Sequence, residues 1–438
     1  MPNTVLIIDD EPTVLSTIAD VLADEGYETL EASSGLDGLA QFKKKKPDVV
    51  FLDIWLADRD GLEVLHALRD IDPNAAVIMI SGHGTVSTAV KAIRMGAYDY
   101  LEKPLSYNQV IDAVSGALEH KKSQAGTATG SFRPAQARRN RLEIEKEIVG
   151  PPGLPIVRNA RKHQKTIKRS TVIYGLGLHS GTRTGMVLQP LPPGSGIHFL
   201  TLPAEKVIAA HVSRVDDTDY ATTLSRDGES IRTVEHLLSA LHARGITNLF
   251  IKVHGEIPVL DGSALEFCKV IEEAGLESQR VARKELVIDR EYEVVRENGQ
   301  RLSIEPYDGF RVSYLLRYPP PIGEQRYEFE LGTFEEYKKE IAPARTFGFM
   351  RDLKMMAELG LGSGGRLDNC IMVGEDNVVN TELRFDDEFV RHKILDIIGD
   401  LYLLGFPIRG KVTARLTGHR HNIELLKEIR RQNADAAA

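Results

Sequence analysis

Short apolar runs separated by amphipathic stretches fill the first 120 residues. TVLIID (4–9), YETLEA (27–32), DVVFLD (48–53), AAVIMIS (75–81) and YDYLEKP (98–104) each predict a strand. Between them, TVLSTIADVLADEG and LEVLHALRDI space apolar residues three and four apart, the pattern of helices with one buried face. This alternation predicts a doubly wound, five-stranded parallel α/β sheet, and the near-continuous Val, Ile and Leu of the strands predict burial on both faces. After residue 164 the pattern changes. KVIAAHVSRV, NLFIKVHG and RLSIEPYDGFRVSYLLRY read as strands among a few helices, an α+β arrangement. SIRTVEHLLSALHARGITN (230–248) predicts a helix capped at Thr233 and ended by Gly245. FVRHKILDIIGDLYLLG (389–405) is apolar around most of its circumference, so that helix is expected to be largely buried. In ARLTGHRHNIELL (414–426), Gly418 and His419 fall between a strand and a helix.

Length and composition sharpen this picture in three ways. The 438 residues leave room for about three domains. With 42% hydrophobic and 27% charged residues the chain can build ordinary cores, which excludes a wholly disordered protein. No apolar run reaches the roughly 18 residues of a membrane-spanning helix, and MPNTVLIIDDEP lacks the basic and long apolar segments of a secretory signal. Cys268 and Cys370 cannot make a disulfide framework or a Cys-rich zinc site. The expectation is a cytoplasmic, reduced, soluble protein whose transition metal, if any, is held by His and carboxylates.

Net charge is −8 but unevenly spread: residues 121–170 hold 13 Lys and Arg against three Glu, so the remainder carries −18. An acidic remainder disfavours nucleic acid as a partner, because phosphate binding needs a basic face on a folded element. The basic stretch is rich in Pro, Gly, Ser, Gln and Ala. It reads as a flexible linker over 123–163, with at most peripheral attraction to anionic lipid.

Candidate chemistry begins at the strand ends of the first segment. Asp9 and Asp10 close the first strand, Asp53 the third, Ser81 the fourth and Lys103-Pro104 the fifth. The carboxyl ends of parallel strands converge on one crevice. Crowded carboxylates repel unless a hard divalent cation such as Mg²⁺ neutralises them, and one of them could then attack a phosphoryl group. Singly, each residue is ordinary in a turn or cap; together they point to a site.

A second constellation lies far along the chain. His392, Asp396 and Asp400 recur at i, i+4 and i+8 on one stripe of the buried helix. Buried ionisable groups must be paired or metal-bound. Spacing alone leaves a structural His–Asp hydrogen bond and a zinc-like site equally open. Glu235 and His236 are adjacent and face different directions, so one could ligate while the other acts as base on a water; alone, such a pair is usually surface. His419 could be a general acid, whereas His421 reads as solvated. Together these ionisable groups on three elements favour a His₂Asp metal site.

Two resemblances follow. Residues 4 to about 120 closely resemble the receiver domain of response regulators. The resemblance implies Asp53 as phospho-acceptor. Mg²⁺ would sit on Asp10, Asp53 and the Trp55 carbonyl, with Asp9 assisting through water. Ser81 and Tyr100 would be the switch pair, Lys103 the phosphoryl contact, and Pro104 would follow a cis peptide. Ala57 stands where many members carry Pro. A sensor histidine kinase or phosphotransfer protein would be the partner.

Residues 164 to about 432 closely resemble UDP-3-O-acyl-N-acetylglucosamine deacetylase, the zinc amidase of lipid A synthesis in Gram-negative bacteria. GLGLHSG (175–181), TVEHLLSALHARGITN, EIPVLDGSA (256–264), ARTFGFMRD (344–352), DEFVRHKILDIIGDL and GHRHN carry the match in family order. The family fold is two layered α+β subdomains, placed here at 164–283 and 284–435 after a receiver at 1–122. The resemblance implies Zn²⁺ on His236, His392 and Asp396, with Glu235 as general base. Thr346 would stabilise the oxyanion, and His419 would be an acid held charged by Asp400. Lys393 and Phe347 would position the UDP-sugar, with His179 close to the substrate. An insert near 346–365, with Phe347, Phe349, Met350, Met355 and Met356, would form an acyl passage. The expected activity is hydrolysis of the N-acetyl group of UDP-3-O-acyl-N-acetylglucosamine, modulated at Asp53. The alternative is a phospho-regulated sensor that binds substrate without catalysis. Intact Glu235 and His419 argue against it.

Overall fold

A computed structural model describes residues 3–81, 92, 95–103, 105, 107–125, 156–202, 204–296 and 298–434. Pro104, with its expected cis peptide, and most of the expected linker lie outside them. The chain divides into two units, one built chiefly from residues up to 143 and the other chiefly from those beyond.

The first unit is a parallel sheet of β1 (Thr4–Ile8), β2 (Glu28–Ala32), β3 (Val49–Asp53), β4 (Ala76–Ser81) and β5 (Asp99–Glu102), in the order β2-β1-β3-β4-β5. Successive strand residues point to opposite faces, and each face has its own core. Val5, Ile7, Val49 and Phe51 pack with Ile18 and Leu22 of α1 (Pro12–Asp24) on one side. Leu6, Ile8, Val50 and Leu52 pack on the other, against Val64, Leu65 and Leu68, which belong to a helix spanning Gly61–Ile71. The strand order reverses between β1 and β3, so their carboxyl ends border an open crevice. Gly61 matters here: a Cβ would lie 2.1 Å from the Asp53 carbonyl oxygen, so only glycine lets that helix start beside the end of β3.

Beyond residue 143, where the second unit chiefly lies, a five-stranded sheet runs, in spatial order, Lys206–Ala209, Ile197–Thr201, Leu249–Val253, Arg183–Pro190, Thr171–Leu176. A seven-stranded sheet is centred on Ile408–Arg415, which pairs with Arg301–Glu305, Phe310–Arg317 and Leu276–Val287. Two expected boundaries are corrected. The strand Val157–Ile167 begins inside the stretch read as linker, and the 283/284 division falls within Leu276–Val287, its ladder partner. Val157–Ile167 is an edge strand exposed along most of its length, so no apolar alternation marks it; its order comes from backbone pairing.

Two helices carry the buried centre of this unit. Glu388–Leu401 is buried nearly all round and lies against Glu235–Arg244. The contact is close because residue 399 is glycine: a Cβ there would sit 2.0 Å from the Glu235 carbonyl oxygen. Among the described residues no helix is long and apolar enough to cross a membrane.

Candidate active site

The Glu235–Arg244 helix ends at Gly245 in a left-handed conformation, as expected, but Thr233 does not cap its start. Val234 holds the cap position, and Thr233, at φ 62°, donates its hydroxyl to the buried Glu256 carboxylate (3.0 Å). Glu256 also accepts from the backbone amides of His179 and Ser180 (2.9 Å each), fixing the GLGLHSG turn. Glu256 was not singled out as an organiser from the sequence.

His236, His392 and Asp396 meet, their donor atoms lying within 4.8 Å of one another. His236 is 3%, His392 3% and Asp396 2% exposed. His392 donates Nδ1–H to the Ala344 carbonyl (3.1 Å). Burial also keeps the ring neutral, so Nε2 presents a bare lone pair. That lone pair faces Asp396 Oδ1 at 3.5 Å, an oxygen with no hydrogen-bond partner. His236 Nε2 faces the same oxygen at 3.8 Å, and burial with the neighbouring His392 pushes its pKa down to about 3. Acceptors facing acceptors in a buried space repel unless a cation sits between them. Asp396 Oδ2 accepts from Lys393 Nζ at 2.9 Å, and its carboxyl is held far below the usual carboxylate range: burial opposes this, but Lys393 and the histidines outweigh it.

Beside this cluster is an acid–base pair. Glu235 is 2% exposed, and burial, reinforced by Asp400 and Asp396 against His419, raises its pKa to about 8. His419 is pushed up to about 9: burial opposes its charge, but Asp400, Asp396 and Glu235 outweigh burial. Asp400 accepts from His419 Nδ1 (2.8 Å) and Asn422 Nδ2 (2.8 Å). Thr222 joins both groups. Its hydroxyl donates to Asp400 Oδ1 (2.6 Å) and its amide to Glu235 Oε2 (3.1 Å). Neither Thr222 nor Asn422 was found from the sequence, since lone polar residues outside a helical stripe carry no periodic signal. The surface reading of Glu235–His236 is overturned, and so is the solvated reading of His421, which is buried.

The remaining candidates surround this centre. Phe347 packs edge-on to His392 (6.1 Å between centroids) and Phe389 (5.0 Å), with the Lys393 ammonium 5.5 Å from its ring. Thr346 is half-buried in the segment before Phe347, its backbone tied to Gly262 and Ile371. Neither ring nitrogen of the buried His179 closes a hydrogen bond, and burial, against the pull of the nearby Glu256 carboxylate, pushes its pKa down. Arg345, also missed in the sequence, is clamped to the buried Glu388 (2.8 Å) and thereby fixes the Ala344 carbonyl and Thr346 on either side.

In the first unit Asp9, Asp10 and Asp53 also bring oxygens within 4.8 Å of one another. Lys103 Nζ donates to Asp9 (2.8 Å) and Asp53 (2.9 Å). Burial, moderated by Lys103, raises both carboxyl pKa values, that of Asp9 to about 7. A divalent cation would offset that burial cost. Trp55 directs its amide to Asp53, Ser81 is buried at the end of β4, and the buried Tyr100 hydroxyl has no partner among the described residues.

Residues 164–431 match the family model of UDP-3-O-acyl N-acetylglycosamine deacetylase, and residues 5–115 that of the response regulator receiver domain. UDP-3-O-acyl-N-acetylglucosamine deacetylase of Myxococcus xanthus is 41% identical over 278 residues, 62% of this chain and 88% of that protein. The same-named protein of Thermodesulfovibrio yellowstonii is 43% identical over 270 residues, 61% of this chain and 91% of that one. A crystal structure of the receiver domain of NtrX from Brucella abortus is 44% identical, covers 26% of this chain and 98% of its own, and has a TM-score of 0.26.

Proposed function

The chain belongs to the UDP-3-O-acyl N-acetylglycosamine deacetylase family through residues 164–431, and from that premise we propose that it is a zinc-dependent amidase with a phosphorylatable receiver at its N-terminal end. It would hydrolyse the N-acetyl group of UDP-3-O-acyl-N-acetylglucosamine to a free amine and acetate, in the cytoplasm, as a step of lipid A synthesis. One observation carries the reading: the bare Nε2 of His392 faces the partnerless Asp396 Oδ1 beside His236, with Glu235 and His419 on the next residues in space.

His236, His392 and Asp396 would hold the zinc. When bound, zinc supplies a Lewis acid for the acetamide carbonyl and acidifies a water. Glu235 takes the proton of the attacking water, a task suited to a carboxylate whose proton affinity burial has raised. His419, charged through Asp400, presents Nε2 to the site and protonates the leaving amine. Thr346 stabilises the oxyanion, and Lys393, Phe347 and His179 position the UDP-sugar. The apolar side chains of the insert, with Met350, Leu353 and Met355 exposed, receive the acyl chain. In the receiver, Asp10 and Asp53 would hold Mg²⁺ with Asp9 assisting through water, and Asp53 would take the phosphoryl group from a sensor kinase or phosphotransfer protein.

Acetate release from UDP-3-O-acyl-N-acetylglucosamine by the zinc-reconstituted full chain tests the reading. Turnover that is lost in Glu235→Gln supports it. A chain that holds one zinc and binds the substrate but releases no acetate would replace it with the sensor.

A further inference from the structure

A cavity of 920 Å³ opens at the far end of the Glu235–Arg244 helix from the His236–His392–Asp396 cluster, about 14 Å along the helix axis from Glu235. Lys165, Arg244 and Arg283 form its inner part; Arg158, Arg161 and Lys162, on the edge strand Val157–Ile167, form its rim. Two carboxylates answer them: Glu285 pairs with Arg283, and Asp308 with Arg409.

Lysine and arginine on an edge strand ordinarily guard against strand pairing. That accounts for the exposed Arg158, Arg161 and Lys162. It does not account for the inner three. Arg283 is only 9% exposed, and its Nε has no hydrogen-bond partner. The Nε of Arg244 is likewise buried and partnerless, while its guanidinium lies over the Phe334 ring at 4.5 Å. Lys165 is half-buried, and burial together with Arg244, Arg283 and Lys162 holds its pKa below the ordinary value. Like charges gathered in a partly buried cavity are unfavourable until an anion enters, and arginine's planar fork matches phosphate oxygens.

We propose that this cavity binds a phosphate-bearing anion at a site separate from the catalytic one, the phosphate coming either from a soluble phosphate ester or from the headgroup of an anionic phospholipid. Its volume falls in the range of small-ligand pockets. The site leaves the zinc cluster untouched, so it adds to the amidase and does not replace its substrate site.

The test uses the full zinc-loaded chain with two probes, inorganic pyrophosphate in solution and vesicles of phosphatidylglycerol in phosphatidylcholine. Two variants, Lys165→Gln with Arg244→Gln and, at the rim, Arg161→Gln with Lys162→Gln, are compared with a control, Lys43→Gln with Lys44→Gln. The rim positions are exposed, so that variant folds even if the inner one does not, and thermal unfolding checks both. Saturable pyrophosphate binding that weakens about tenfold in both cavity variants but not in the control supports the proposal and identifies a soluble phosphate. The same pattern with vesicles alone supports it and identifies the headgroup. Binding insensitive to the cavity variants, no binding of either probe, or an equal loss in the control overturns it.

Discussion

Thr222 serves two groups at once: its amide holds the Glu235 carboxylate and its hydroxyl holds Asp400, which in turn holds His419. In the proposed mechanism one side chain thus sets both the base and the acid, while touching neither substrate nor metal ligand. Thr222→Val keeps the shape and the amide but removes the hydroxyl. We expect kcat to fall about tenfold to a hundredfold with KM little changed, and Thr222→Ser to restore it; steady-state acetate release measures both. A fall confined to KM would remove Thr222 from this role. A second residue-scale consequence concerns pH. His419 must be protonated to donate, and its pKa lies near 9 because Asp400 and its neighbours outweigh burial. Activity should therefore decline as pH rises through about 9. Asp400→Asn removes the chief stabilising charge, lowers the His419 pKa and moves that decline to lower pH by roughly 1–2 units. A kcat–pH profile with an unmoved alkaline limb would mean that another group titrates there.

At the scale of elements, two close contacts build the site. Gly399 lets the Glu388–Leu401 helix touch the first residue of Glu235–Arg244. Gly399→Ala places a methyl group against the Glu235 carbonyl, where backbone cannot yield cheaply. We expect a loss of about 1–3 kcal/mol in thermal or denaturant unfolding and a measurable loss of zinc affinity, since His236 and His392 would no longer be in register. The second contact is the buried Arg345–Glu388 pair. Arg345→Met strands the Glu388 carboxylate and should cost about 3–5 kcal/mol in urea unfolding, while freeing the Ala344 carbonyl that fixes the His392 ring. How much of this was legible in the sequence follows from what each residue's neighbours are. Strands β1, β3 and β4 stood out because each is buried on both faces, whereas β2 is largely exposed. The His392–Asp396–Asp400 stripe stood out because charged groups at one helical period interrupt an apolar surface. Thr222, Asn422, Glu256 and Arg345 did not, since their partners lie far away in sequence and only the tertiary structure brings them together. Val157–Ile167 was hidden for a different reason: an exposed edge strand has no buried face to pattern.

At the scale of the whole chain, a His–Asp cluster that could hold a metal and a carboxylate crevice occur in one polypeptide, and the proposed phosphorylation would change the crevice. Lys103 bridges Asp9 and Asp53, both of them buried carboxyls whose ionised forms burial disfavours. Phosphorylating Asp53 takes away the carboxylate that Lys103 holds and substitutes a group with more negative charge and more acceptor oxygens. Ser81 ends the adjacent strand, and the Tyr100 hydroxyl is buried without a partner among the described residues. A ligand shifts such an equilibrium only by its differential affinity for the two states, and couplings of this kind are worth about 1–3 kcal/mol, or roughly fivefold to 150-fold. Adding beryllofluoride and Mg²⁺ to the zinc-loaded chain should therefore change the rate of acetate release by at least about fivefold in one direction. Asp53→Asn should abolish that response while leaving the basal rate intact. The variant matters because it removes the acceptor but neither zinc ligand nor acid–base group, so its failure to respond cannot be traced to a damaged amidase. A rate equal in all four conditions would sever the receiver from catalysis and assign its phosphorylation to the abundance or partners of the enzyme.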